Sequence, residues 1–115
     1  MEEAKVAKRS KKYKYHVPVV SVRLVRETNF YSDKKIEHPD DAGWLIYHFA
    51  KDFDREVFGV ICLTTKGDIA NISVVSIGSL DQTVVSVREV FKTAILANAN
   101  SIILFHNHPS GNFLP

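Results

Sequence analysis

The chain has 115 residues, of which 45% are apolar and 24% charged. That length and composition predict one small soluble globular domain. The single cysteine, Cys62, excludes an intrachain disulfide and any zinc knuckle built on a C-x-x-C pair. The sequence shows no signal-peptide pattern and no long apolar span, so we expect a cytoplasmic protein without a membrane segment.

The formal net charge of +2 is unevenly distributed along the chain. Residues 1–14 carry six basic and two acidic side chains, whereas the remainder carries nine basic and eleven acidic ones. Residues 1–15 lack an apolar period and are interpreted as a basic flexible arm in front of a domain over 16–115. The arm is either a solvated tail or a contact for nucleic-acid phosphates. The candidate nucleic-acid-binding residues are Lys8, Arg9, Lys11, Lys12 and Lys14.

The first predicted elements are a strand and a helix. The stretch "PVVSVRLVRE", residues 18–27, alternates apolar and polar side chains and predicts a half-buried strand. Pro39, followed by two aspartates, favours a helix start, and apolar spacing extends the helix over 39–51. His48 lies on or beside the apolar face and is interpreted as a packed histidine in preference to a metal ligand. The other residues of that face are Trp44, Leu45 and Phe49.

The middle of the chain predicts a β-hairpin. "EVFGVICLTTKGDIANISVVSIG" contains two apolar runs separated by Lys66-Gly67-Asp68, where glycine tolerates the positive φ of a tight turn. Cys62 falls inside the first run. We interpret it as inert packing, with a catalytic cysteine–histidine dyad as the alternative.

The third part of the chain predicts a helix and a final strand. Ser86 and Glu89 form the S-x-x-E pattern of a capping box, and Asn98 marks the end of the helix. The predicted apolar face is Val90, Phe91, Ala94 and Ile95. "SIILF", residues 101–105, is a continuous apolar run that predicts a strand buried on both faces. The element order predicts an α/β domain with a mixed β-sheet flanked by helices.

Two histidines follow the last predicted strand directly. In an extended backbone His106 and His108 point to the same side, where their imidazoles can converge on one metal ion, while Asn107 points to the other. Pro109, Ser110 and Gly111 then predict a sharp turn beside this site. An H-x-H pair alone is a weak signal, but its position between a buried strand and a turn makes it more specific.

The segment "HNHPSG" resembles the metal motif of the RadC family, within the JAB/MPN (JAMM) metalloprotease-like superfamily. "DREVFGVICLTTKG", "VVSIGSL", "REVFKTAILANA" and "SIILFHNHPSG" follow in the family's order, and "VRLVRE…KIEHPDDA" resembles its short members. The resemblance covers about residues 17–115 and lacks the helix-hairpin-helix module of longer members. It implies a JAB/MPN fold, which is cytidine-deaminase-like.

The resemblance also implies a zinc-dependent metallopeptidase or isopeptidase acting on an unknown protein or peptide. By position, His106 and His108 match the family's two histidine ligands and Glu56 matches its catalytic glutamate. In the family this glutamate acts on a zinc-bound water. Asp52 and Asp54 are nearby alternatives to Glu56 as the base.

The family motif continues with S-x-x-D, whose aspartate is the third zinc ligand. Its spacing places the serine directly after Pro115, so we expect the domain to be incomplete at its carboxyl end. From this we expect the 115 residues alone to be inactive and to hold well under one zinc per molecule. The strand over 101–105 is then expected to have an uncovered face or an unpaired edge.

Two further functions stay open at this point. The chain is alternatively a nucleic-acid-binding module associated with DNA repair, acting through the basic arm with a vestigial metal site. A third interpretation is a structural remnant without independent activity. Deleting residues 1–14 separates the first two, because it removes salt-dependent DNA binding and leaves a peptidase site untouched.

Overall fold

The architecture follows the predicted order of elements after its first strand. A computed structural model describes residues 13–78 and 86–107. These residues form a mixed α/β arrangement consistent with a JAB/MPN-like domain, which confirms the predicted fold class. The elements are a single 3-10 turn Pro39–Asp41, helix α1 Ala42–Ala50, strand β1 Val57–Leu63, strand β2 Ile69–Ile77, helix α2 Val87–Leu96 and strand β3 Ser101–His106.

The three strands form one antiparallel sheet with β1 in the centre. Its order is β2-β1-β3, with Val57 opposite Ile77 on one side of β1 and Phe58 opposite His106 on the other. The β1–β2 pairing shifts register at Phe58/Gly59 and again near Leu63, as a β-bulge does. β1 is the most deeply buried strand because it has a neighbour on each side.

Side chains of β1 alternate between two apolar clusters, one on each face of the sheet. Ile61 and Leu63 pack with Leu45 of α1 and with Phe105. Val60 and Cys62 pack on the opposite face with α2, through Val90 and Ala94. A period of two along β1 therefore assigns α1 to one face and α2 to the other. The burial of Cys62 in this strand agrees with its interpretation as packing.

The hairpin turn and both helices form where the sequence predicts them. Gly67 has φ +88°, and Thr64 N–H donates to Asp68 O at 2.8 Å across the turn. The 39–51 helix is confirmed as the 3-10 turn followed by α1. α2 begins as its capping pattern predicts, since Ser86 Oγ accepts from Glu89 N–H at 3.2 Å. Asn98 follows the end of α2 with φ +53°.

The apolar face predicted for α2 is only half correct. Val90 and Ala94 are buried against the sheet, but Phe91 and Ile95 are 45% and 72% exposed. Val90 and Ala94 lie one turn of helix apart, and the half-buried Thr93 beside them has its Oγ1 3.3 Å from Ser73 Oγ of β2, so this narrow row contacts the sheet. The neighbouring row, although apolar, faces outward in the part of the chain that the structure describes.

The structure corrects two expectations about strands: the strand predicted over 18–27 is absent, and the strand over 101–105 forms as β3 but with less burial than predicted. Residues 18–27 form no strand and are exposed throughout, because amphipathic alternation does not by itself supply a hydrogen-bonding partner. β3 is not buried on both faces: Leu104 is 51% exposed, and only Phe105 of this strand is buried. Within residues 13–78 and 86–107, β3 pairs with β1 along one edge, and the expectation of an unpaired edge stays a prediction.

Gly59 allows β3 to pack closely across β1. A Cβ atom built at this position would lie 2.8 Å from Ser73 O and would overlap the Phe105 ring. Phe105, which is opposite Gly59 in the register, therefore covers the glycine and fills the place of its missing side chain. This contact holds the site end of β3 against β1.

No helix within the described ranges combines the length and the apolar character needed to cross a membrane.

Candidate functional site

One end of the sheet gathers the residues that the motif predicts. β1 begins there and β2 and β3 end there, because the sheet is antiparallel. Glu56 immediately precedes β1, and its carbonyl accepts from Gly78 N–H at 2.8 Å, just beyond β2. His106 is the last residue of β3 and lies opposite Phe58. The fold thus brings together residues that are 50 positions apart in sequence.

Glu56 and His106 belong to the same face of the sheet. Phe58 packs with the α2 cluster, and His106, its cross-strand partner, shares that face. The alternation that puts Phe58 on this face puts Glu56 on it as well, two residues earlier. His106 is exposed and Glu56 half-buried, so a solvent-borne ion or substrate has access to both positions.

Asn107 closes the same end of the sheet from the opposite face. Its side-chain Oδ1 accepts from Val57 N–H at 2.6 Å, and its Nδ2 donates to Arg55 O at 3.3 Å and Ala50 O at 3.5 Å. Its backbone N–H donates to Val57 O at 3.3 Å. Ala50 is the last residue of α1, so the side chain points away from the face that His106 occupies, as predicted. The sequence alone does not reveal this bonding role of Asn107, because its hydrogen-bond partners are far from it along the chain.

Several predicted site residues lie outside the described ranges. They are His108, the Pro109-Ser110-Gly111 turn, and the arm residues Lys8, Arg9, Lys11 and Lys12. Lys14 is described and exposed, with its Nζ 5.7 Å from the centre of the Tyr15 ring. The assignments of His108 as a metal ligand and of the basic arm residues as nucleic-acid contacts therefore stay predictions.

The two alternatives to Glu56 are both exposed. Asp52 and Asp54 lie in the loop between α1 and β1, and the Asp54 side chain is 93% exposed. Its neighbour in the chain, Arg55, has Nε 4.0 Å from Asp54 Oδ1. Glu56 differs from both because its backbone is bonded into the end of the sheet.

The remaining histidine and cysteine candidates are packed elsewhere. The His48 ring lies 4.0 Å from the Trp44 ring and 5.0 Å from the Tyr47 ring, measured between centroids, which agrees with a packed histidine on α1. Burial raises the pKa of the Cys62 thiol above its ordinary value and so disfavours the thiolate that a nucleophile needs. Cys62 also lies at the opposite end of β1 from Glu56.

The donors at the site end of the sheet are of the type that zinc prefers. An imidazole and a carboxylate are common zinc ligands or zinc partners, and an exposed imidazole at a strand end is open to an ion. Among the described residues no group of three or more histidine, cysteine, aspartate or glutamate side chains is placed to hold a metal. The chemistry of His106 and Glu56 therefore fits zinc, and the convergence of His106 with His108 stays a prediction.

Comparison with known proteins assigns the same region to one family. The model of the RadC-like JAB domain matches residues 36–115. A UPF0758 protein of Desulfitobacterium hafniense is 46% identical over 80 residues, which cover 70% of this chain and 35% of that protein. A UPF0758 protein of Alkaliphilus oremlandii is 42% identical over 91 residues, covering 79% of this chain and 38% of the relative.

A third relative, from Methanosarcina barkeri, is 43% identical over 82 residues and is likewise a UPF0758 protein. The chain spans little more than a third of the length of these relatives. The matched region begins just before the 3-10 turn and contains every helix and strand described, including the end of the sheet that carries both Glu56 and His106. The chain therefore belongs to the family of RadC-like JAB domains.

Proposed function

We propose that this domain carries a zinc-dependent hydrolytic site that cleaves an amide or isopeptide bond of a protein or peptide. The observation that supports the proposal is the β1–β3 register, which places His106 opposite Phe58. His106 therefore lies next to the start of β1, which Glu56 immediately precedes. The chain belongs to the RadC-like JAB family, and Glu56, His106 and His108 match by position the glutamate and the two histidines expected of that family's motif.

In this proposal zinc is held by His106 and His108, with a third ligand from the S-x-x-D part of the family motif. When bound, zinc supplies Lewis acidity, polarising a carbonyl and lowering the pKa of a coordinated water. The exposed position of His106 leaves room for the ion and for substrate on the same side of the sheet.

Glu56 is proposed as the general acid and base. Its carboxylate takes the proton of the attacking water and later gives it to the leaving amine. A carboxylate suits this task when its backbone is fixed, because proton transfer requires hydrogen-bond distance to the reacting atoms. The hydrogen bond from Gly78 N–H to Glu56 O provides that anchoring from the β2 side.

Zinc affinity tests the ligand assignment. In the chain extended at Pro115 by the family's S-x-x-D segment, we expect His106→Ala and His108→Ala each to weaken Zn²⁺ binding at least about tenfold, because each removes a ligand. Competition with a chromophoric chelator measures the affinity. His48→Ala is the matched control, since its ring packs on Trp44, and it should leave the affinity unchanged. Equal affinity in the parent and all three variants would reject the site.

Hydrolysis tests the role of Glu56. The substrate panel consists of fluorogenic peptide amides and a lysine isopeptide, assayed with excess Zn²⁺ on the chain extended at Pro115 by the family's S-x-x-D segment. Glu56→Gln should lower kcat by about 10²–10⁴-fold, the usual contribution of a general base. Asp54→Asn, which changes an exposed carboxylate two residues earlier, should not. A Glu56→Gln variant with full activity would reject this role.

Nucleic-acid binding is a second candidate function. The charge segregation supports it: six of the chain's fifteen basic residues lie within residues 1–14. The exposed stretch that follows adds Arg23 and Arg26, and both lie outside the sheet. We propose a sequence-independent contact with phosphates, separate from the site end of the sheet.

A further inference from the structure

The Asn107 side chain makes hydrogen bonds on both sides of Glu56. Oδ1 accepts from Val57 N–H at 2.6 Å, and Nδ2 donates to Arg55 O at 3.3 Å. Val57 and Arg55 are the residues immediately after and before Glu56. One amide therefore spans the backbone of the residue that the proposed function makes the general base.

Two additional bonds complete the attachment of this segment. Nδ2 of Asn107 reaches Ala50 O at 3.5 Å, which connects it to the end of α1. The Glu56 carbonyl accepts from Gly78 N–H at 2.8 Å, which connects it to the end of β2. The backbone of Glu56 is thus held between α1, β2 and β3, and Asn107 provides the bonds to two of these three elements.

Asn107 is also the residue between His106 and His108. Because its backbone N–H donates to Val57 O, it continues the β1–β3 pairing one position beyond His106. We propose that Asn107 is a positioning residue that fixes the distance between Glu56 and the His106 imidazole. The inference rests on the proposed function of the site and assigns Asn107 no direct contact with metal or substrate.

The expected effect of Asn107 is local. Six pairs from Phe58–His106 to Leu63–Ser101 hold β1 to β3 independently of it. The loop between α1 and β1 is largely exposed, with Lys51, Asp52, Asp54 and Arg55 all at the surface. Loss of the Asn107 amide should therefore release Glu56 and its loop while the sheet persists.

The test measures how strongly Glu56 affects Zn²⁺ binding, with and without Asn107. A carboxylate held near the ion raises the Zn²⁺ affinity of the site. In the chain extended at Pro115 by the family's S-x-x-D segment and otherwise unchanged, Glu56→Gln should therefore weaken Zn²⁺ binding about tenfold. In an Asn107→Ala background the same substitution should weaken it less than about twofold, because Glu56 is no longer held there. Chelator competition on all four proteins gives the two ratios.

Two controls separate positioning from general stability. Ile103→Val lies in the same strand, partly buried in the α1 cluster, and should leave the tenfold Glu56 ratio intact even though it loosens packing. Should Asn107→Ala fail to fold, Asn107→Asp replaces it: a carboxylate still accepts from Val57 N–H but cannot donate to Arg55 O. The Glu56 ratio should fall there too.

The outcomes distinguish the inference from the function on which it rests. If His106→Ala leaves Zn²⁺ binding unchanged, both the metal site and the role of Asn107 are wrong. If His106→Ala weakens binding but the Glu56 ratio is the same with and without the Asn107→Ala substitution, the site stands and the positioning role is overturned. If Glu56→Gln does not change Zn²⁺ affinity even when Asn107 is present, the positioning role is overturned as well, because Glu56 is then not held near the ion.

Discussion

At the level of single residues, Gly59 stands out for its crowded surroundings. The Phe105 ring and Ser73 O occupy the space where a Cβ atom would extend. Phe105 is buried and backbone atoms move little, so neither neighbour yields without cost. Gly43 on α1 is the opposite case, because a Cβ atom added there would meet nothing within 4 Å.

We expect Gly59→Ala to lower the free energy of unfolding by about 1–3 kcal/mol, the usual cost of overpacking a core. Gly43→Ala should raise it by about 0.5–1 kcal/mol, since alanine favours helix and meets no neighbour. Urea denaturation of both variants checks this pair. A Gly59→Ala protein as stable as the parent would contradict the Phe105 packing described here.

Residue patterns alone predict only part of the candidate site. His106 and His108 are identified from a two-residue spacing after an apolar run, which is a local signal. Glu56 is assigned only through the family resemblance, because nothing around it marks one carboxylate among Asp52, Asp54 and Glu56. Asn107 escapes sequence reasoning, since its hydrogen-bond partners lie 50 to 57 positions away.

Among the helices, α1 depends on a carboxylate placed at its start. Asp41 Oδ2 accepts from Glu37 N–H and His38 N–H, both at 3.0 Å, and Oδ1 lies 3.2 Å from Lys34 Nζ. The two backbone bonds, followed by the Lys34 contact, lower the pKa of Asp41 from 3.8 to about 2. The ionised form therefore ties the connection over 34–38 to the first turn before α1.

This depressed pKa predicts a pH dependence of stability. Because the folded pKa lies below the unfolded one, ionised Asp41 stabilises the fold above about pH 4, and this contribution is lost as pH falls toward 2. Asp41→Asn should be less stable than the parent at pH 6, and the difference should shrink through that window. Urea midpoints from pH 6 to pH 2 measure it.

The exposed neighbour Asp40 provides the control for Asp41. Asp40→Asn should follow the parent's pH profile throughout. A constant difference between Asp41→Asn and the parent from pH 6 to pH 2 would show that the Asp41 charge contributes nothing.

Elements whose signals are local are predicted well. The Ser86 cap, the Gly67 turn and the Asn98 helix end each depend on residues within a few positions, and all three are confirmed. The strand predicted over 18–27 is absent, and the strand predicted over 101–105 forms but is not buried on both faces. Both differences arise because pairing and burial of a strand depend on which elements lie beside it. Composition of the strand itself carries no information on its neighbours.

Across the whole molecule, basic charge is concentrated at one end of the chain. Residues 1–14 carry a net charge of +4 and the other 101 residues a net of −2. Phosphate contacts release counterions, so binding through such an arm weakens steeply as salt rises. The acidic remainder offers no comparable attraction for a polyanion.

We expect the full chain to bind duplex DNA without sequence preference, and deletion of residues 1–14 to abolish the binding. Each phosphate contact contributes about −0.9 to the slope of log affinity against log salt for duplex DNA. Fluorescence anisotropy at several salt concentrations measures the slope. Lys66→Ala is the matched control, because it removes one positive charge from the hairpin turn and not from the arm. It should change the slope little. Undiminished binding by the shortened chain would contradict the arm as the contact.

Cys62 gives this domain a built-in probe of its own opening. It is the chain's one cysteine, fully buried in the middle strand, with β2 and β3 on its two edges. Val90 and Ala94 of α2 cover its side chain, so a thiol reagent can modify it only while α2 moves away from the sheet, and the labelling rate reports that opening. Because Phe58, the cross-strand partner of His106, packs in the same cluster, Cys62 labelling reports on the opening of the face of the sheet that carries the candidate site.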